Sequence, residues 1–241
     1  MPVVEALAQE YDVVMVDARG HGRSDAPELG YGSLEQAEDL ADVIRRLGLE
    51  RPAILGHSMG AATTLVLAGT YPDLPRAILL EDPPPWWAER REGAPSAEDR
   101  LAGMRAWISS VKRKTREELI SEQRAETPGW STVELGPWAE AKLRVSPNVL
   151  EVLRSDNPAS VDWEATLRRI TCPVLLITAD PSLGAIATEE SSAALRDLVP
   201  QLRVEHISDA GHNIRRDQFD RYMEVVLTFL SERVQDSVST T

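Results

Sequence analysis

Cysteine is almost absent from this sequence, because Cys172 is the only one among its 241 residues. An internal disulfide is therefore excluded, and a reducing, cytoplasmic compartment is the expected location. Long apolar runs are missing too, since no uninterrupted stretch is long enough to cross a bilayer. The start of the chain has no basic segment of the kind that begins a signal peptide. We therefore expect no membrane partner.

Positive charge is scarce relative to negative charge. The chain has 26 Lys and Arg residues against 39 Asp and Glu residues, which gives a formal net charge of −13. Such a surface repels nucleic acid, so nucleic acid is not an expected partner. Hydrophobic residues make up 42% of the chain and charged residues 27%, which is ordinary for a globular protein with a sizeable core.

One short motif, Gly56-His57-Ser58-Met59-Gly60, stands between an apolar run at 52–55 and a small-residue run at 61–68. A strand, a tight turn and a helix are predicted to meet at Ser58, which is the context of a nucleophile elbow. We expect Gly56 and Gly60 to let the strand and the helix approach closely. The amide of Met59 lies at the predicted helix start, where unpaired N–H groups favour an anion, so it is a candidate oxyanion donor. The alternative, a glycine-rich turn with a chance serine, does not account for the flanking strand and helix.

Apolar strands and helical segments alternate along much of the chain. Strands are predicted at 11–17, 52–55, 75–81, 172–180 and 202–207, and helices at 3–10, 33–47, 61–68, 189–199 and 215–234. This alternation predicts an α/β fold with a mostly parallel sheet and helices on both faces. The strand at 11–17 is apolar enough to be buried on both faces.

Residues 83–168 differ from the rest of the chain in composition and in predicted secondary structure. Helix starts recur at Ser96, Thr115 and Ser146, no convincing strand is present, and all six tryptophans lie here. We interpret this segment as a helical cap inserted into a core of residues 1–82 and 169–235, with a frayed tail at 236–241. Trp86 and Trp87 directly follow a core strand, so they are the candidate substrate-binding residues. The alternative is that the tryptophans form the cap's own core.

Three reactive side chains are predicted at the carboxyl ends of strands, where ligands bind in such sheets. They are Ser58, Asp180 and His212, in this chain order. The elbow, this order, the loop Asp17–Ser24 and the sequence Ala210-Gly211-His212 resemble the α/β-hydrolase superfamily. The resemblance implies that Ser58 is the nucleophile, His212 the base and Asp180 the acid that orients the base. It implies neither a cofactor nor a metal ion.

Other residues compete for these roles. Asp82 ends the strand that follows the elbow helix, and it is the alternative acid because some members of the family place the acid there. The position of Asp180 in the chain favours Asp180. His57 and His21 are explained locally by the elbow and the first loop, and His206 lies inside a predicted strand, so His212 is favoured as the base.

The chain departs from the resembled family at its front. The family has earlier strands and a His-Gly loop that supplies a second oxyanion amide, whereas here His21-Gly22 follows the strand at 11–17 and does not replace that loop. The sequence therefore predicts an N-terminally shortened fold with bare strand edges. The alternatives are that the sheet closes around the gap, or that this sequence is a truncated form of a longer chain. Such a chain is expected to be poorly soluble or homo-oligomeric, with weak esterase activity.

The resemblance implies a serine hydrolase that cleaves a small or medium apolar ester through an acyl-enzyme on Ser58. Lactone hydrolysis, C–C bond hydrolysis and perhydrolysis are related chemistries that use the same triad. The alternative from another class is a ligand-binding or catalytically impaired protein of the same fold, which the missing oxyanion loop favours.

Overall fold

The computed structural model of the chain describes residues 2–88, 96–153 and 161–234. The chain divides into two compact units, a helical unit of residues 1–32 and 91–160 and a sheet unit of residues 33–90 and 161–241. The boundaries predicted for a core and a cap stay a prediction. The predicted frayed tail at 236–241 lies outside the described residues.

The helices of the described residues are numbered here in chain order. They are α1 (Pro2–Leu7), α2 (Ser33–Arg46), α3 (Met59–Thr70), α4 (Ala97–Val111), α5 (Arg116–Glu126), α6 (Thr132–Arg144), α7 (Trp163–Leu167), α8 (Glu189–Leu198), α9 (Ile214–Asp217) and α10 (Phe219–Val234). Short 3₁₀ helices cover Pro147–Leu153 and Pro181–Leu183. Within the described ranges, no helix combines the length and the apolar character that a membrane span needs.

The sheet unit contains the predicted parallel sheet, which is confirmed. Its four strands are, in spatial order, β1 (Ala53–His57), β2 (Ala77–Glu81), β3 (Val174–Thr178) and β4 (Leu202–His206). Every residue of β2 and β3 is buried, as expected for central strands of a parallel sheet. β1 is an edge strand in which buried and more exposed residues alternate.

A hydrophobic core in the sheet unit includes residues of both α2 and α3. The run from Ala61 to Gly69 in α3 is buried throughout, which matches its small and apolar composition. From α2, the residues Ala37, Ala41 and Ile44 enter the same core, and Gly48, with φ of 65°, follows the end of that helix. Each fully buried Leu- or Ile-sized side chain in such a core contributes about 1.5–3 kcal/mol to stability.

The helical unit confirms the helix starts that the sequence predicted at Ser96 and Thr115. The hydroxyl of Ser96 accepts the amide of Asp99, and the hydroxyl of Thr115 accepts the amide of Glu118. In both cases the carboxylate of the third helical residue accepts the backbone amide of the cap residue, which completes a capping box. Pro147 begins the 3₁₀ helix at the third predicted start.

The prediction of a strand at 11–17 is wrong. Residues 12–17 join no strand among the described residues, and the side chains of Val14, Met15 and Val16 are 49%, 57% and 47% exposed. Asp17 stabilises the loop that follows it, because its carboxylate accepts the amide of Arg23 at 3.0 Å. An apolar run becomes a strand only where a neighbour satisfies its amides and carbonyls, and composition does not specify that neighbour.

Candidate active site

Ser58 lies in the tight turn between β1 and α3, with φ of 54° and ψ of −123°. A residue other than glycine in such a sparsely populated conformation costs about 1–3 kcal/mol, so the surrounding structure has to hold it. The amide of Ser58 donates to the carbonyl of Glu81 at 2.9 Å, which fixes the turn to the neighbouring strand β2.

The two glycines of the motif have different roles. A Cβ at Gly56 would lie 2.4 Å from the carbonyl oxygen of Gly60 and 2.7 Å from the amide of Ala61, so this position requires glycine. A Cβ at Gly60 would meet nothing within 4 Å. The prediction that Gly60 also permits the close approach is therefore wrong, since it is the backbone of Gly60, rather than its missing side chain, that lies against Gly56.

Met59 is the first residue of α3. The first amides of an α-helix have no partner within the helix, and the helix dipole makes that end attractive to negative charge. The assignment of the Met59 amide as an oxyanion donor stays a prediction.

His212 lies in the loop between β4 and α9 and joins two groups that the chain separates widely. Its Nε2 is 3.0 Å from the Oγ of Ser58. Its Nδ1 is 2.6 Å from Oδ2 of Asp82. The three side chains form one continuous hydrogen-bonded series, from hydroxyl to imidazole to carboxylate.

The carboxylate of Asp82 is completely buried, and backbone donors compensate its charge. Oδ1 accepts the amide of Ala187 at 2.8 Å, and the amide of Ile186 lies 3.1 Å and 3.0 Å from the two oxygens. Together with the Nδ1–H of His212, these donors satisfy an acceptor that would otherwise be strongly unfavourable in the interior. The site therefore contains a fixed, ionisable acid beneath the imidazole.

The structure corrects the expectation that Asp180 orients His212. Asp180 instead contacts His206, whose Nε2 lies 3.0 Å from Oδ1, and it accepts the amide of Asp209 at 2.7 Å through Oδ2. The amide of Asp180 donates to the carbonyl of Ala210 at 3.0 Å. Asp180 thus binds the loop that leads to His212, while Asp82 occupies the position beside the imidazole.

Sheet order explains this exchange of acids. Ser58 directly follows β1, and Asp82 directly follows β2, which is the hydrogen-bonded neighbour of β1. Asp180 follows β3, which is one strand further away. Because neighbouring strands are separated by about 4.8 Å, the extra strand is too large a step for a short aspartate side chain. Sequence alone offered Asp82 as the alternative, and the strand order was the missing information.

His57, which the sequence explained only as part of the elbow, contacts the backbone of His212. The two rings lie 4.6 Å apart between centroids, and His57 Nε2 is 2.8 Å from the carbonyl oxygen of His212. Burial, followed by the charges of Arg215 and of His212, lowers the pKa of His57 to about 2. The ring is therefore neutral, and because a carbonyl only accepts, Nε2 carries the proton and donates it.

The remaining histidines have local partners. The Nδ1 of His21 lies 3.0 Å from the carbonyl of Arg19. His206 closes β4 and lies between Asp180 and the hydroxyl of Thr178, which is 3.2 Å from its Nδ1.

Trp86 and Trp87 pack against the core of the sheet unit. Their ring centroids lie 5.8 Å and 6.4 Å from that of Trp163. The indole N–H of Trp87 donates to the carbonyl of Ser191 at 2.8 Å. These contacts are structural, and the assignment of the two tryptophans to substrate binding stays a prediction.

The candidate site brings together a hydroxyl, an imidazole and a carboxylate. Among residues 2–88, 96–153 and 161–234 there is no group of three or more His, Cys, Asp or Glu side chains placed to hold a metal ion. Burial raises the pKa of the Cys172 thiol to about 11, so this cysteine is a protonated core residue at neutral pH.

Comparison with known proteins agrees with the fold. A sequence profile described as alpha/beta hydrolase fold matches residues 1–215. N-formylmaleamate deformylase of Pseudomonas putida is 30% identical over 230 residues, which cover 95% of this chain and 82% of that protein. 2-(Acetamidomethylene)succinate hydrolase of Mesorhizobium japonicum is 28% identical over 239 residues, with 95% and 82% covered. A crystal structure of an N-formylmaleamic acid deformylase from Pseudomonas putida superposes with a TM-score of 0.76 at 26% identity, over 93% of this chain and 84% of that one.

Proposed function

The chain belongs to the alpha/beta hydrolase fold family and is a hydrolase, and we propose that it cleaves a small carboxylic ester through an acyl-enzyme on Ser58. The observation that supports this proposal is the continuous series of contacts from Ser58 Oγ through His212 to Asp82, at 3.0 Å and 2.6 Å. A serine hydroxyl is a weak nucleophile alone, and a base within hydrogen-bond reach makes it reactive.

In the first half of the proposed reaction, Ser58 Oγ attacks the substrate carbonyl carbon while His212 Nε2 takes the hydroxyl proton. The amide of Met59 stabilises the negative charge that develops on the carbonyl oxygen. The tetrahedral species collapses, the bond to the leaving alkoxide breaks, and His212 returns the proton to the leaving oxygen. The buried carboxylate of Asp82 holds the Nδ1–H tautomer throughout and stabilises the charged imidazolium.

In the second half, His212 takes a proton from water, and the resulting hydroxide attacks the acyl carbon. The bond from the acyl carbon to Ser58 Oγ breaks, and the proton returns to the serine oxygen. A carboxylic acid leaves, and the enzyme is restored without a cofactor.

A second candidate is hydrolysis of a C–N bond in a small N-formyl or N-acetyl compound. The names of the deformylase and the acetamido-compound hydrolase above favour it. The same three side chains suffice, because His212 then gives its proton to the leaving nitrogen instead of an oxygen.

Covalent labelling with a fluorophosphonate tests the proposal, since only an activated serine reacts. We expect the intact protein to gain one label, located by mass spectrometry on Ser58, and to hydrolyse p-nitrophenyl acetate. Ser58→Ala should not be labelled, and its turnover should fall at least about 10⁴-fold, because removal of a triad nucleophile has effects of this size or larger.

Ser231→Ala is a matched control, since the Ser231 hydroxyl donates to the carbonyl of Thr228 within α10 and has no part in the proposed reaction. This variant should keep both label and turnover. A folded Ser58→Ala protein with full turnover would contradict the proposal, as would an unlabelled, inactive wild-type protein, which would favour a binding role. A panel of N-formyl and N-acetyl amides then distinguishes C–N from ester hydrolysis.

A further inference from the structure

Glu81, the last residue of β2, is a buried carboxylate that the proposed reaction does not use. It has no exposed surface. Its Oε1 accepts the backbone amide of Arg215 at 3.1 Å, and its Oε2 accepts a guanidinium N–H of the same residue at 2.9 Å. A buried carboxylate is strongly unfavourable unless a positive partner and good hydrogen bonds compensate it, and Arg215 supplies both.

The phenol of Tyr222 lies close enough to Glu81 to interact with it electrostatically, but it supplies no positive charge. Burial, followed by the charge of Glu81, raises the pKa of Tyr222 well above its usual value. Tyr222 is therefore neutral at physiological pH, and Arg215 is the positive partner of Glu81.

The ion pair connects the backbone segments that carry Ser58, Asp82 and His212. The carbonyl of Glu81 accepts the amide of Ser58 at 2.9 Å, and the next residue in the chain is Asp82. Arg215 is the second residue of α9 and comes three residues after His212. One ion pair, with its carboxylate buried and its arginine side chain 20% exposed, therefore links two backbone segments. The first is the end of β2, next to Asp82 and hydrogen-bonded to Ser58, and the second carries His212.

His57 supports the same segment from the adjacent strand. It is paired in register with Glu81, and its Nε2–H donates to the carbonyl of His212 at 2.8 Å. The backbone around His212 is thus held at two points, at its own carbonyl by His57 and three residues later by Glu81. Both hydrogen bonds are made to backbone groups rather than to the imidazole of His212, so they affect where that ring is placed.

We propose that Glu81 and Arg215 are positioning residues that hold His212 at reacting distance from both Ser58 and Asp82. The inference rests on the proposed function. A buried ion pair often adds little net stability compared with apolar side chains of similar volume, and it can instead select one arrangement of the chain. Misplacement of a catalytic group by about 1 Å lowers the rate about 100-fold, which sets the size of the expected effect.

The test compares Glu81→Gln and Arg215→Lys with the control Glu232→Gln. Glu232 also forms an ion pair in the sheet unit, with Arg203 at 3.0 Å, but on the surface. For Glu81→Gln we expect kcat and the rate of fluorophosphonate labelling to fall about 10- to 100-fold, with KM nearly unchanged. Arg215→Lys keeps the charge and the backbone amide, so it should lose less. The control should match the wild-type protein in every measurement.

A second readout does not depend on turnover. The proton between His212 Nδ1 and Asp82 gives a far-downfield ¹H NMR signal when the short hydrogen bond is ordered. We expect this signal to be lost or broadened in Glu81→Gln and retained in Glu232→Gln. If Glu81→Gln does not fold, Arg215→Lys should still show a smaller loss of kcat and a broadened signal, and wild-type values of both in that variant would overturn the inference.

The outcomes separate this inference from the proposed function. A lower Tm for Glu81→Gln would overturn the positioning role if the NMR signal and kcat, expressed per active site counted by labelling, were both unchanged. The pair would then be merely structural. Absence of labelling in the wild-type protein would overturn the proposed function, and the NMR comparison would then decide the positioning of His212. Retention of the signal in both Glu81→Gln and Arg215→Lys would overturn the inference in that case too.

Discussion

Replacing Asp82 by asparagine is expected to inactivate His212 by forcing the wrong tautomer. An asparagine side chain has one oxygen and one NH₂ group in place of two oxygens, so the surroundings decide which group lies where. The Oδ1 position faces the amide of Ala187 at 2.8 Å, and the Oδ2 position faces His212 Nδ1 at 2.6 Å. The amide of Ile186 reaches both positions, at 3.1 Å and 3.0 Å.

The amide of Ile186 faces the NH₂ group of Asn at position 82 in either orientation, so the amide of Ala187, which reaches only the Oδ1 position, decides between the two. The amide of Ala187 can only donate, so the oxygen must stay at the Oδ1 position. The NH₂ group then faces His212, whose Nδ1 has to become the acceptor. In that tautomer Nε2 carries the proton and donates it to Ser58, so it cannot accept the serine proton.

The expected loss in kcat is about 10⁴-fold, the value for the same substitution in a serine-protease triad, which corresponds to about 5 kcal/mol of transition-state stabilisation. Asp180→Asn should lose less than about tenfold, because its contact with His206 is partly exposed and such pairs contribute little. Turnover of p-nitrophenyl acetate by both variants gives the ranking, and long-range ¹H–¹⁵N NMR gives the tautomer of His212. A larger loss for Asp180→Asn, or the wild-type tautomer in Asp82→Asn, would refute this reasoning.

The pKa of His57 and the close packing at Gly56 lead to two further expectations. His57 has a folded pKa of about 2, so below about pH 6.5 only the unfolded chain binds this proton, and stability falls by about 1.4 kcal/mol per pH unit as pH decreases. His57→Gln should remove that contribution, which urea unfolding at about pH 7.5 and about pH 5.5 would measure; an unchanged pH dependence would contradict it. Gly56→Ala should destabilise the fold by about 3 kcal/mol or more, because its Cβ would lie 2.4 Å from the carbonyl oxygen of Gly60. Gly60→Ala, where a Cβ meets nothing within 4 Å, should be neutral or stabilise the helix by up to about 1 kcal/mol, and similar unfolding midpoints for the two variants would contradict the packing argument.

The elbow was predictable because its requirements are local. The signals are an apolar run, a tight turn, a glycine where the backbones meet and a helix start. All of them lie in residues close together in the sequence, and they single out Ser58 without any long-range information. The two capping boxes at Ser96 and Thr115 were predictable for the same reason. His212 required only the order of elements, since it follows the last strand of the alternating pattern.

The acid and the strand at 11–17 depended on contacts between distant parts of the chain. Both Asp82 and Asp180 follow a strand, and composition does not reveal which strand lies beside the elbow. The order β1-β2-β3-β4 places Asp82 next to Ser58 and leaves Asp180 to bind the loop before His212. Likewise, residues 12–17 have the composition of a buried strand, but a strand exists only through hydrogen bonds to a neighbour. Sequence therefore determined the groups that can react, and tertiary structure decided which carboxylate completes the site, because side-chain chemistry is local whereas strand pairing is not.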